Sequence, residues 1–392
     1  DTSLFTGSDI VDLSMEPAFA DILGYTQEEL ENNYAHYIDL AAAKLGFTHD
    51  ELLQQLKLYY DGFCFDYLAS VKLYSPWAIN RFFDALLKAN LLQDDDIGRE
   101  LIYFSSFWMN SAGAAPALRS YLNSYHGDVV KLADRYSQPV VLDYEDMTSP
   151  VKATEVTLDQ IMVQSGMISI QAITKDTKNA FNLESLQYEC ALTNYDVTSQ
   201  YRNVLVAYIS GQEEKTVKPH ILQAHQALLA GDIAKMCRGL NQLLVMNSRY
   251  DIFDEQGREK EKVYRTLFRW CLLSDVVNTQ DEVANNLGRC DLVATTKDTI
   301  YVFELKRVSS CRSSTAISKL NQAEKQMELN DYGNNLINQG KLVVWVILVI
   351  CDQYRQIRAW RTITKTKTAT GPHTERHGDL VELIAVENQE PP

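Results

Sequence analysis

No stretch of this chain approaches the ~18 uninterrupted apolar residues that a membrane span requires. The longest apolar run, residues 342–351, is rich in Val and Ile, the pattern of a fully buried strand. The opening residues Asp1, Thr2, Ser3 and Leu4 have neither the basic start nor the apolar core of a signal peptide. They also lack an initiator Met, so the chain reads as a fragment or a trimmed piece. The seven cysteines are scattered and form no CxxC pair. A disulfide framework or zinc cluster is therefore not expected, and a reducing, cytoplasmic setting is. Positive charge is short: 37 Lys and Arg face 52 Asp and Glu, a net charge of −15. That balance argues against a generic polyanion binder. Internal repeats and low-complexity tracts are absent as well.

What is present is an ordinary globular balance, 46% hydrophobic and 23% charged over 392 residues, enough for two or three domains. The charge is uneven. Residues 251–367 hold 18 Lys and Arg against 15 Asp and Glu, a balance of +3, which leaves −18 for the remainder. Residues 1–150 read as a mainly helical region. Thr26 with Glu29, and Thr48 with Glu51, have the spacing of capping boxes. Residues 151–250 read as a small α/β module, helix plus hairpin and winged-helix-like, followed by helices that include 218–246. Residues 251–365 are mixed α/β, in the order α-β-β-β-α-β with the second helix over 315–339. Residues 366–392 read as a polar, loosely held tail. The fold class is multidomain α+β.

The residues that carry chemistry lie in the mixed segment. Hydrolysis of a phosphodiester near neutral pH needs a hard divalent cation and an activated water. Mg²⁺ is bound through one or two carboxylates together with water and phosphate oxygens. Asp291 opens one strand. Glu304 and Lys306 end the next, and their side chains share a face because strand residues alternate. Leu305, between them, points into the core and leaves its carbonyl as a further metal ligand. A hairpin turning at 296–299 would bring Asp291 beside Glu304. Lys306 could then position the attacking water and offset charge in the transition state. An E-x-K triplet alone is a weak signal, common on solvated edges. Here the triplet ends an apolar strand, and an Asp and two helices fall in the right order around it. Arg307, Arg312, Lys319 and Lys325 are candidates for backbone contacts, though each alone is equally an ordinary surface charge. The pair His373 and His377 lies among Gly and Pro, where a helix is doubtful, and Ser309–Cys311 has no His and Asp partners.

Residues 261–360 resemble the PD-(D/E)XK nuclease superfamily, most of all the bacterial family in which such a domain follows an AAA-ATPase-like region. The matching pieces are EKVYRTLF at 261–268, Glu282 with Val283, GRCDLV at 288–293, YVFELK at 301–306, AEKQ at 323–326, Tyr332 and IRAW at 357–360. The resemblance implies a restriction-endonuclease-like α/β domain with an αβββαβ core. It implies metal binding by Asp291 and Glu304, a catalytic Lys306, and an assisting acid in Glu261. Gln326 and Tyr332 match a glutamine and tyrosine of that site, although they are six apart rather than the four of the exonuclease relatives. Segments 3–7, 19–30, 59–63, 74–77 and 164–168 are similar to the later part of the ATPase-like region. That region begins with a P-loop, and no GxxxxGK followed by Ser or Thr occurs here. No ATP site is expected in this chain; the ATPase core is either lost or upstream of Asp1. YDGF at 60–63 reads as a tight turn flanked by aromatic packing. The expected function is Mg²⁺- or Mn²⁺-dependent cleavage of nucleic acid, DNA before RNA. The alternative is a silent nuclease-fold scaffold whose acidic N-terminal region binds a protein partner.

Overall fold

A computed structural model describes residues 13, 15–90, 104, 107, 114–125, 127–148, 156–176, 185–246, 258–284, 288–330, 332, 340–368 and 371–384. Of the sequence readings, the motif at 3–7 and the start of the mixed α/β segment, residues 251–257, lie outside these residues. The chain divides into two compact units. One comprises Asp1–Gly127 with Asp134–Tyr201, the other Asp128–Ala133 with Arg202–Pro392.

The first unit begins with helices α1 (Gln27–Leu45), α2 (His49–Tyr60) and α3 (Pro76–Asn90). Both capping boxes form: the Thr26 and Thr48 side chains accept from the N–H groups of Glu29 and Glu51, whose carboxylates accept in return. The three helices close on a core that includes Leu30, Ile38, Leu56, Tyr60, Ile79 and Phe82. The YDGF segment is a packing turn. Gly62 has φ +102°, and a Cβ there would stand 2.5 Å from the Thr193 carbonyl, so only glycine fits. Tyr60 and Phe63 on either side are buried. Helices α4 (Ala114–Ser124), α6 (Tyr144–Thr148) and α7 (Leu158–Gln164) follow, while α5 (Val129–Asp134) belongs, but for its last residue, to the second unit. Strands β1 (Val140–Asp143), β2 (Ile168–Asp176) and β3 (Ser185–Leu192) make an antiparallel sheet in the order β1-β3-β2. The boundary between the units falls inside α8 (Tyr195–Ser210).

In the second unit the stretch read as helical at 218–246 forms two helices, α9 (Glu214–Leu229) and α10 (Ile233–Val245). Gly231, at φ +71°, breaks the run, and Asp232 caps α10 by accepting from Lys235 N at 2.8 Å. Next come α11 (Arg258–Leu272), β4 (Asn278–Ala284), β5 (Arg289–Thr295), β6 (Thr299–Val308), α12 (Ser313–Leu329), β7 (Leu342–Cys351), β8 (Gln356–Thr368) and β9 (Gly371–Leu380). The six strands form one sheet in chain order, with β6 and β7 parallel and every other pair antiparallel. Helix α12 is the crossover that a parallel pair demands. It ends at Leu329, short of the expected 339, and residues 333–339 lie outside the described set. Its Ala316, Leu320, Ala323 and Met327 pack on Val302, Trp345, Ile347 and Val349. From the other face Tyr301 donates to the Leu228 carbonyl of α9 at 3.0 Å. Asn241 of α10 exchanges two hydrogen bonds with the main chain of Ile357.

Two further expectations change. The segment read as a loose tail contains β9, which pairs with β8 from Ala359–Leu380 to Thr368–Gly371. His373 and His377 therefore sit on a strand rather than a helix. And Cys311 is joined to Cys351. The parallel register sets Val308 opposite Cys351, and three residues later the chain returns Cys311 to it, a pairing that 40 residues of separation hide.

Candidate active site

Strand register assembles the acids. Leu292 pairs with Phe303, so the residues flanking that pair, Asp291 and Glu304, fall side by side. Asp291 Oδ2 accepts from the Leu305 main-chain N–H at 2.7 Å. Glu304 is 2% exposed, and its Oε1 accepts from Lys306 Nζ at 2.5 Å. Leu305 is fully buried, as alternation along β6 requires. Cys290 is buried too, with Sγ on the Val283 carbonyl, and takes no part.

The electrostatics show a cluster with more negative than positive charge. Burial pushes Glu304 up to about 7, with the Asp291 charge adding to the rise and Lys306 opposing it. Burial also raises Asp291, against the Leu305 N–H and Lys306. Glu261, half-buried on α11, is raised by burial and then by Asp291. Burial alone would lower Lys306, but Glu304, Asp291 and Glu261 outweigh it and hold the ammonium above its ordinary range. Three acids thus share one close lysine, and full ionisation of all three favours an added cation.

The donor set fits a hard cation. Among the described residues Asp291 Oδ1, Glu304 Oε2 and the Glu261 carboxylate take no hydrogen-bond partner. Among those residues no three His, Cys, Asp or Glu side chains form a metal cage by themselves. Two carboxylates completed by water, phosphate and a main-chain carbonyl such as that of Leu305 is the arrangement Mg²⁺ and Mn²⁺ accept.

Residues 259–360 match the PD-(D/E)XK nuclease superfamily. No curated protein and no solved structure matched the chain. The nuclease-superfamily segment contains every candidate site residue.

Gln326 and Tyr332 meet each other despite their six-residue spacing. Tyr332 OH accepts from Gln326 Nε2 at 3.3 Å and from Asn330 Nδ2 at 3.0 Å. Tyr332 is buried, its carbonyl accepts from Trp345 Nε1, and its ring lies where a Cβ on Gly288 would approach to 3.0 Å. Among the described residues neither side chain bonds to the carboxylates. Of the candidate backbone contacts, Arg307 is committed to a two-pronged pair with Asp352, and Lys319 donates to Gln322. Arg312 and Lys325 have no such partner among the described residues.

Sequence reading missed an arginine layer behind Asp291. Arg265, 8% exposed, donates from Nη1 to Glu282 Oε1 at 2.9 Å. Arg269 reaches Asp281 at 3.1 Å, and Arg289 reaches Glu282 at 2.7 Å. Arg265 also favours the ionised form of Asp291. The available signal was spacing: Glu261, Arg265 and Arg269 stand four apart and share one face of α11.

Proposed function

We propose that the nuclease-superfamily segment hydrolyses phosphodiester bonds of nucleic acid, DNA before RNA, with Mg²⁺ or Mn²⁺ as cofactor. The observation that carries this reading is the meeting of Asp291 with the main chain of Leu305, with Glu304 and Lys306 on either side. Asp291 and Glu304 would hold the cation, Glu261 would assist, and the Leu305 carbonyl is a further ligand. When bound, the cation polarises the phosphate and lowers the pKa of a coordinated water. Glu304 keeps the Lys306 ammonium at the site, where it orients the attacking water and offsets charge on the phosphate oxygens in the transition state. Lys306 then serves as a donor rather than a base, because three neighbouring acids favour its charged form. Gln326 and Tyr332 serve as a second pair at the head of β5.

The first unit is read as similar to the later part of an AAA-ATPase-like region, without an ATP site. Its helix and hairpin (α7, β2, β3) support the winged-helix-like reading, and its acidity suits a protein partner. Division into regions 1–150, 151–250, 251–365 and 366–392, in a cytoplasmic setting, belongs to the same proposal.

The test is cleavage of single- and double-stranded DNA with Mg²⁺ or Mn²⁺ by wild type, Glu304→Ala and Lys306→Ala. The expected result is cleavage by wild type and a loss on the order of 10²- to 10⁴-fold in each variant, the usual scale for one proton-handling or electrostatic group. Inactive wild type across metals and substrates favours the scaffold reading. Equal activity in all three proteins removes the site assignment.

A further inference from the structure

Beyond the acid cluster, the second unit has a cavity of about 570 Å³ at the end of the sheet where β6 and β7 finish. Its walls include Ser310 and Arg312 from the loop after β6, and Gln353 and Tyr354 from the turn after β7. Cys311, Arg358, Glu382 and Leu383 complete them. The volume is within the range of sites that take one small ligand unit. The loop that forms one wall follows the end of β6 at Val308, two residues beyond Lys306.

The lining has the chemistry of a nucleotide. Arg358 donates to the carbonyls of Cys311 and Val381 and to Ser313 Oγ at 3.1, 2.6 and 3.0 Å. All three acceptors are neutral, so its positive charge is held in place but not cancelled. Arg312 is exposed at the N-cap of α12. Neighbouring Arg307, Arg361 and Arg376 are each tied to a carboxylate. No described carboxylate stands within ion-pair distance of Arg312 or Arg358. Glu382 is exposed in the same wall and subtracts one charge, which leaves the lining with one net positive charge. Tyr354 is 41% exposed and offers an aromatic face, while Ser310 and Gln353 offer small polar groups. Two uncancelled guanidiniums beside a free aromatic ring is the pairing that binds phosphate and stacks a base.

We propose that this cavity seats one unpaired nucleotide of a nucleic-acid strand, its phosphate on Arg312 and Arg358 and its base stacked on Tyr354. This rests on the nuclease reading above. It makes the substrate a single strand, or a duplex end or flap with an unpaired nucleotide, because a paired base has no free face to give Tyr354. Glu382 then accepts from an exocyclic amine or a sugar hydroxyl.

The experiment is a fluorescence-anisotropy titration of a short labelled single strand, and of its blunt duplex, at several salt concentrations. The full chain is used as wild type, Arg312→Ala and Tyr354→Ala, with Ca²⁺ in place of Mg²⁺. Both side chains are exposed, and unchanged circular dichroism checks the fold. Tyr354→Ala is expected to weaken single-strand binding about tenfold, the scale of one lost stack, with the salt slope unchanged. Arg312→Ala is expected to weaken it severalfold and to flatten the slope of log K against log salt by about 0.7, the value for one phosphate contact on a single strand. If wild type binds and both variants match it in affinity and slope, the subsite is wrong and the nuclease reading stands. Equal losses on strand and duplex for Tyr354→Ala overturn the unpaired-base assignment. If wild type binds neither form, the subsite and the nuclease reading fall together.

Discussion

At Asp291 one carboxylate oxygen is spent on the Leu305 N–H and the other is open among the described residues, so Asp291→Asn changes charge more than shape. The asparagine oxygen can still accept from Leu305. The metal-free variant is therefore expected to be at least as stable as wild type, since one of three mutually repelling acids is neutralised. Its response to cation should differ. Mn²⁺ at about 100 times Kd stabilises a one-site protein by roughly 2.7 kcal/mol, and thermal melts should show that rise in wild type and not in Asp291→Asn. An equal rise in both would place the cation elsewhere. A second single-residue prediction concerns His225 on α9, which burial, helped by the Arg202 charge, pulls down to about 3. The folded chain keeps it neutral while the unfolded chain protonates it near 6.5. Stability is thus lost as pH falls below about 6.5 and continues to fall toward 3. Between pH 7 and 5 this one group contributes about 2 kcal/mol of loss. Unfolding free energies from urea titrations at the two pH values should fall further apart in wild type than in His225→Leu by about that amount. Parallel shifts would show that His225 titrates normally.

Among the elements, the turn after α2 has the least freedom. Gly62 combines a left-handed backbone with a carbonyl 2.5 Å from where its Cβ would stand, and rigid main chain cannot swing aside as a flexible side chain can. Gly62→Ala is expected to cost roughly 1–3 kcal/mol through strain and displacement of Thr193. Chemical denaturation checks this, and a change below half a kcal/mol would mean that the turn relaxes freely. The same logic of register governs β5 and β6. Slipping β6 by one residue turns Glu304 and Lys306 to the opposite face and Leu305 toward Asp291. Both faces of β6 are buried over Ile300–Leu305, so the cost of moving two charged groups into the opposite face resists that slip.

For the molecule as a whole, the Cys311–Cys351 bridge ties the loop after β6 to the end of β7. Closing 40 residues limits the unfolded chain by an entropy equivalent to at most about 4 kcal/mol. Oxidised wild type should lose up to that much stability on adding a dithiol reductant, while Cys311→Ser should start near the reduced value and not respond. A reductant effect of the same size in both proteins would refute the bridge.

How much of this was legible follows from range. Local rules reached the capping boxes at Thr26 and Thr48, the apolar core strand at 342–351, and the shared face of Glu304 and Lys306, because helix caps and strand alternation act over two to four residues. The glycine in YDGF was legible as a turn for the same reason. Long-range pairing was not. The ninth strand in a polar tail, the Arg265–Glu282 layer behind Asp291 and the junction of Cys311 with Cys351 all depend on which segments lie side by side, and a polar or isolated residue carries no mark of its distant neighbour. Sequence by itself determined the residue types at the site and the faces they share. Only the tertiary structure decided that Asp291 closes on Leu305, that Gln326 and Tyr332 meet across six residues, and that Arg312 and Arg358, neither ion-paired among the described residues, share a lining with Tyr354. Those facts are set by sheet register and loop return, which the summed burial of the whole core selects.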